Sequence, residues 1–419
     1  MTDTLRYVPS HTLDNTLAST PSRAENGLVP SFSLPVASVA ASAHRSTVLP
    51  RVQWSGDQPS VVPFERERFE EMKSLGQGGM GEVVLLKDHD IERLVALKRL
   101  PEAPDLDRVL RFVEEIRTVG QLDHPNIVPV HDVGVDPRGR YYFVMKHLEG
   151  ETLESIIERL RQGDAAAHAR FPFAARIQIF LGVLNALTYA HRKGFIHRDL
   201  KPANIMVGPY GEVTVVDWGL ARRVGAPDAS AHGPATAPPP PDTRTALSRR
   251  TQMGSVIGTP LYMSPEQARG EQATVDARSD IYSLCVLLHE FLYLHHYLDG
   301  RDTLATVLEG VKTVSPKVNH ARPHPLQGTV PTEYFWLIDK GCAKDLTQRY
   351  QSIDELHQDL AAIMDGRIRM RCQRTRVKRG LHEALRRVDE HPWLITAGGS
   401  FAFLVVLAAF VHLLLTLFT

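Results

Sequence analysis

Asp199, Lys201 and Asn204 fall within six residues of one another in "FIHRDLKPANIMV", directly after an apolar run. Placing a carboxylate, an ammonium and an amide beside a core is costly unless they are paired or put to use. One chemistry uses this set: a carboxylate to orient a hydroxyl and accept its proton, an ammonium near a transferred phosphate, and an amide oxygen for a metal. "VVDWG" follows and supplies Asp217, a further oxygen ligand of the kind Mg²⁺ prefers. Taken singly, each of these charges reads equally well as a solvated surface position.

Two upstream patterns point the same way. "GQGGMGEVV" spaces Gly76, Gly78 and Gly81 as G-x-G-x-x-G, with Gln77 and Gly79 inside the turn. Lacking side chains, such a backbone comes close to phosphates and offers them N–H groups. Any tight hairpin could use the same glycines. A dinucleotide site would need a helix after them, and a strand-like run follows instead, which disfavours nicotinamide chemistry. "VALK" sets Lys98 in an apolar strand with Glu115 on the next helix, an ion pair that could face phosphate oxygens.

The elements that must position these residues change character along the chain. "FEEMKSLGQGGMGEVVLLKD", "RLVALKRL" and "YYFVMKHL" read as strands separated by polar turns. Among them, "DRVLRFVEEIRTVGQL" is a helix with Phe112, Ile116 and Val119 on one face. Beyond residue 151 helices dominate. Pro172 suits the first turn of the first long one, where Ile177, Leu181, Leu184 and Ala190 form an apolar stripe. Later helices are "DIYSLCVLLHEFLY", "TEYFWLIDKGCA" and "IDELHQDLAAIM". A small β-rich lobe joined to a larger helical lobe leaves a cleft between them, a favoured ligand site.

In its order of motifs, the stretch 69–364 resembles the eukaryotic-type protein kinases, most closely the bacterial (Hanks-type) serine/threonine kinases. The Gly-rich loop, VALK, HRDLKPAN, an Asp-x-Gly, "GTPLYMSPE", "SDIYSL" and "KDLTQRY" all occur in sequence. The resemblance implies an α+β, two-lobed protein kinase fold using ATP and Mg²⁺, with Mn²⁺ as an alternative metal. Lys98 would hold the α- and β-phosphates and pair with Glu115. Asp199 would be the catalytic base and Lys201 would neutralise the transferred phosphoryl group, while Asn204 and Asp217 hold metal. Val83 and Ala96 would line the ATP site, Met145 would close its back as gatekeeper, and Lys146, His147 and Leu148 would form the hinge.

By the same resemblance, Glu266 pairs with Arg349 and Asp280 binds the catalytic-loop backbone. Thr259 favours serine and threonine over tyrosine, and Arg198 receives an activation-loop phosphate, with Thr251 and Ser255 as candidate phosphosites and Ser248 a weaker third. Four positions depart from the family pattern: Trp218 for its phenylalanine, Cys285 for a glycine, Ser264 for an alanine, and Val84 where an aromatic is common. None removes a charge that phosphoryl transfer needs. The alternative of a pseudokinase, the same fold used as a nucleotide-binding scaffold, is disfavoured because Lys98, Asp199 and Asp217 are all present.

The remaining sequence sets the context. Of 419 residues, 48 are basic and 48 acidic, so overall charge argues for no particular partner. Three separated cysteines form neither a metal spacing nor a disulfide framework, and a reducing compartment is expected. Residues 1–63, rich in Ser, Thr, Pro and Ala, read as a disordered tail. So does an Ala- and Pro-rich insertion at 224–246.

Residues 394–419 contain no Asp, Glu, Lys or Arg and are long enough to cross a bilayer as a C-terminal transmembrane helix. The basic segment 366–392 before them fits the cytoplasmic flank of such a span and attraction to anionic lipid better than nucleic-acid binding. The expectation is a single-pass inner-membrane protein with its kinase domain in the cytoplasm. It would act on protein substrates and form a homodimer for trans-autophosphorylation.

Overall fold

The computed structural model describes residues 51–62, 66–78, 81–223, 258–316 and 324–367, with isolated positions at 49, 380, 408 and 409. Gly79, the 224–246 insertion, Thr251, Ser255 and nearly all of 394–419 lie outside the described residues.

The β-rich lobe is a five-stranded antiparallel sheet. Its strands are β3 (Phe69–Gly78), β4 (Gly81–Asp88), β5 (Arg93–Arg99), β6 (Val130–Val135) and β7 (Tyr141–Lys146), ordered β3-β4-β5-β7-β6. Helix α1 (Leu106–Val119) starts at Asp105, whose side chain accepts from the Arg108 N–H, and it buries Phe112 and Val119. Phe112 meets Phe143 of β7 at 5.3 Å between ring centroids, fixing the helix against the sheet.

The helical lobe is built around α4 (Phe173–Arg192) and α7 (Ala277–Tyr293), joined by α2 (Leu153–Arg161), α3 (Ala165–Arg170), α5 (Gly258–Leu261), α6 (Pro265–Arg269), α8 (Leu304–Thr313), α9 (Thr332–Gly341) and α10 (Ile353–Met364). Pro172 caps α4 from just outside its first turn. The apolar stripe expected on α4 is one part of a wider burial: Ile179, Phe180, Val183, Ala186 and Leu187 are buried with Ile177, Leu184 and Ala190, and Leu181 is half-buried. A helix apolar nearly all round belongs in the core. By length and composition α4 could cross a membrane, and among the described residues it is the one candidate, yet half of that stretch is buried inside the lobe.

Short strands carry the site at the lobe junction. β8 (Glu151–Thr152), β10 (Ile205–Val207) and β11 (Val213–Val215) form one sheet, and β9 (Phe195–Ile196) pairs with β12 (Arg222–Arg223).

The stretch 1–63 requires a correction at its end. Residues Arg51–Ser55 (β1) and Gln58–Val62 (β2) form an antiparallel hairpin in which Val52 faces Val61 and Trp54 faces Pro59. Gly56 turns the chain at φ +62°, a conformation cheap only for glycine. Composition over 63 residues hides one short run of alternating residues around a Gly-Asp turn.

Candidate active site

Strand register brings the Gly-rich turn over the lysine. Gly76 opposes Val83, and Val83 in turn opposes Lys98, so the β3–β4 hairpin and β5 form one surface. Ala96 on β5 is buried and opposes Met145 of β7. Met145 and Leu148 are partly buried and pack against the helical core, and His147 is half-buried between them. Gln77 and Lys146 are exposed.

The Lys98 ammonium lies 2.6 Å and 2.9 Å from the two Glu115 carboxylate oxygens and 3.5 Å from Asp217. Burial works to lower the Lys98 pKa, but the charges of Glu115 and Asp217 outweigh it and hold the ammonium raised. Burial lifts the Glu115 carboxyl above its ordinary range, with Lys98 opposing and Asp217 adding to the rise. At Asp217 burial also pushes upward. There Lys98 foremost, then Lys201 and His197, prevail and keep the carboxyl lowered. Three groups on three elements thus share one electrostatic cluster.

Opposite it, Lys201 donates to Asp199 Oδ2 at 2.9 Å. Asn204, in the 3₁₀ turn Pro202–Asn204, donates its Nδ2 to the Asp199 carbonyl at 2.9 Å, which leaves the amide oxygen for another partner. The Val216 N–H donates to the Asn204 carbonyl at 2.9 Å, tying the Asp199 loop to the segment that bears Asp217.

Two of the five non-glycine residues with positive φ among the described residues lie at this place. Arg198 and Asp217 hold φ at +67° and +59°, left-handed values that cost a non-glycine residue and persist only where surroundings enforce them. For Arg198 the enforcement is visible: Asp280 of α7 accepts from the His197 N–H at 2.7 Å and from the Arg198 N–H at 2.8 Å. His191, at the end of α4, completes the clamp by sharing a 2.8 Å hydrogen bond with Asp280 Oδ2. Burial would raise the Asp280 pKa, but His191 foremost, then the His197 charge and the Arg198 N–H, keep it lowered.

Trp218 is fully buried in the helical core, 4.6 Å from the His197 ring, and its indole N–H reaches the Val215 carbonyl at 3.4 Å. The larger ring therefore has both room and an acceptor. Glu266 and Arg349 meet at 2.9 Å and 3.2 Å while almost wholly buried, with Ser279 donating to Glu266 at 2.6 Å. Truncating one partner of such a pair typically costs about 3–5 kcal/mol.

Several contacts escape sequence reasoning. Arg198, read as a phosphate receiver, donates to Gln272, and its carbonyl accepts from Gln267 at 2.9 Å. Tyr262 donates to Glu290, which also meets Arg161 of α2 at 3.0 Å. His191 had a local signal, in that it sits six residues before His197. The two glutamines and Glu290 had none. The Thr259 side chain lies outside the described residues.

The donor set fits a nucleotide with Mg²⁺. Asp217 and Asn204 offer oxygen, which suits an ion that takes one or two protein ligands and fills the rest with phosphate and water. A Cβ built on Gly76 or Gly78 would meet nothing within 4 Å, so the protein's own packing does not require glycine there. Close approach by a ligand would.

A β-sheet lobe and a helical lobe meeting at a lysine–glutamate pair and a lysine-assisted aspartate define a protein kinase fold. The protein kinase domain family matches residues 69–360, and the chain belongs to that family. It is 35% identical over 324 residues to the serine/threonine-protein kinase PknD of Protochlamydia amoebophila, covering 75% of this chain and 32% of that one. It is 37% identical over 309 residues to PknB of Mycolicibacterium smegmatis, covering 72% and 43%, and 32% identical over 303 residues to PrkC of Bacillus subtilis, covering 71% and 41%. The chain thus spans between 32% and 43% of the length of these relatives.

Proposed function

We propose that this protein is a serine/threonine protein kinase that transfers the γ-phosphoryl group of ATP to protein hydroxyls at the cytoplasmic face of a membrane. One observation carries the catalytic part: Lys98, Glu115 and Asp217 share one ion cluster while Asp199 and Lys201 form a second pair beside it. Lys98 holds the α- and β-phosphates, with Glu115 fixing its ammonium. Asp199 orients the substrate hydroxyl and takes its proton as the oxygen bonds to the γ-phosphorus. The bond from that phosphorus to the bridging oxygen breaks, and ADP leaves with the electron pair. Lys201 meets the charge on the transferred group. Asn204 and Asp217 would hold Mg²⁺, whose charge would neutralise the phosphates. Positioning and charge stabilisation account for most of such catalysis.

The membrane part rests on the sequence of 394–419, and activation on trans-autophosphorylation at Thr251 or Ser255, with Arg198 leaving Gln272 to bind the phosphate. Incubating the full chain with labelled ATP and Mg²⁺ tests the core reading. The wild type should label itself or a generic basic protein, and Asp199→Asn should lose labelling by several orders of magnitude. Equal incorporation by both, or none by either, would favour a nucleotide-binding scaffold.

A further inference from the structure

The β1–β2 hairpin is amphipathic. Side chains alternate across a strand, so the register puts Val52, Trp54, Pro59 and Val61 on one face. Gln53, Ser55, Gln58 and Ser60 occupy the other, with Val62 at its end. The apolar face is open: Trp54 and Val61 are each 68% exposed and Val52 is 53% exposed. Among the described residues, none of the four joins a hydrophobic cluster of either lobe. A two-stranded hairpin is marginal alone in water, and this one is held by its ladder and the Ser60 hydroxyl on the Gln53 carbonyl at 3.2 Å. Its nearest described tie to the kinase lobes is the Leu49 N–H, which donates to Asp90 at 3.4 Å.

We propose that this face is a membrane-contact surface that lies on the bilayer interface. The proposal rests on the membrane-anchoring reading of 394–419. Residues 368–393 lie between the last described residue of the helical lobe and that run. At about 3.4 Å per residue those 26 residues reach roughly 90 Å when extended. A domain of this size has a diameter of about 50 Å. Gly380 within that stretch is helical, and wound wholly as helix the stretch would still reach about 40 Å, a large part of the domain's width, so the tether lets the hairpin approach the bilayer that holds the C-terminal run.

An indole flanked by valines and a proline, with no lysine or arginine on the face, suits the interfacial zone, where an amphipathic ring has both an apolar and a wet side. Asp57 at the turn disfavours insertion tip-first, so the hairpin lies flat. A second copy of the chain is the weaker occupant. One indole, at about 150–250 Å², and three small side chains fall well short of the roughly 800 Å² per partner that stable association needs.

The test uses the full chain reconstituted in vesicles of phosphatidylethanolamine and phosphatidylglycerol, with ordinary or brominated acyl chains. Wild type is compared with Trp54→Phe and with Trp393→Phe, which removes the indole directly before the 394–419 run, each checked for retained ATP-dependent labelling, and difference spectra isolate each indole. The expected result is a blue-shifted Trp54 component that loses most of its intensity in brominated vesicles and keeps that loss in high salt. Trp54 unquenched while Trp393 is quenched overturns the hairpin contact and leaves the anchor standing. The reverse pattern supports the hairpin and removes the anchor. Quenching of neither removes both. A blue-shifted but unquenched Trp54 means that protein covers the face, which also overturns the proposal.

Discussion

A Cβ placed on Gly81 would lie 2.1 Å from the Arg99 carbonyl oxygen, and Gly81 holds φ at +132°, whereas a Cβ on Gly76 or Gly78 would meet no atom within 4 Å. The three glycines of one motif therefore answer to different masters: Gly81 to the fold, Gly76 and Gly78 to whatever approaches the hairpin. Gly81→Ala should destabilise the protein by about 1–3 kcal/mol through clash and strain together. Gly76→Ala should leave the melting temperature level or slightly higher, since it removes unfolded-state freedom at no steric cost. Its KM for ATP should nonetheless rise several-fold, read from initial rates. An unchanged KM would mean that no ligand passes close to Gly76. Charges bunched in sequence are legible as a site for a related reason. Asp199, Lys201 and Asn204 sit too near an apolar run for solvation to explain them all.

At the scale of elements, α7 and α9 cross where Cys285 faces Gly341. A Cβ on Gly341 would stand 2.1 Å from the Cys285 sulfur and 2.8 Å from its Cβ. The departure at Cys285 is thus absorbed by an absent side chain on the facing helix, more than fifty residues further along the chain. Sequence alone marks Cys285 as unusual but not Gly341 as its complement, because the pairing exists only once the two helices are docked. Gln272 on Arg198 and Glu290 on Tyr262 are hidden for the same reason. Burial pushes the Cys342 thiol up to about 12 and the Cys285 thiol well above its usual range, so both behave as packing groups rather than nucleophiles. Gly341→Ala should cost about 1–3 kcal/mol from overpacking. Cys285→Gly alone should cost about 1–2 kcal/mol, most of it from the cavity left by a wholly buried side chain and only a few tenths from helix propensity. Combined, they should be less destabilising than their sum, with a coupling of about 0.5–3 kcal/mol in a denaturation cycle. Simple additivity would show that the two sites do not meet.

Over the whole molecule, the strand-then-helix order and the motif series are legible because local patterns repeat them. The β1–β2 hairpin and the histidine cluster behind the Tyr262 segment are not, because their meaning depends on what covers them. His289 and His296 are buried in the helical lobe, and His289 Nδ1 and His296 Nε2 make no hydrogen bond among the described residues. His289 stacks on Tyr293 at 4.8 Å, and His296 meets Tyr262 edge-on at 5.5 Å. Burial, assisted by His295 and by the neighbouring His296 or Arg161, lowers both pKa values from 6.5 to about 3. Both rings are therefore neutral when folded and can take a proton near pH 6.5 only when unfolded. Their contribution is fully present above pH 6.5 and is lost as pH falls from there toward 3. At about 1.4 kcal/mol per unit, each should cost roughly 2 kcal/mol of stability at pH 5. Glu115 and Glu290, whose pKa values burial raises, act in the opposite sense and blunt the total. A paired comparison isolates the histidines: His289→Gln, which cannot titrate, should lose about 2 kcal/mol less than wild type between pH 7 and pH 5 in urea unfolding. Equal losses in the two proteins would mean that the His289 ring already carries its proton, or reaches water, in the folded state.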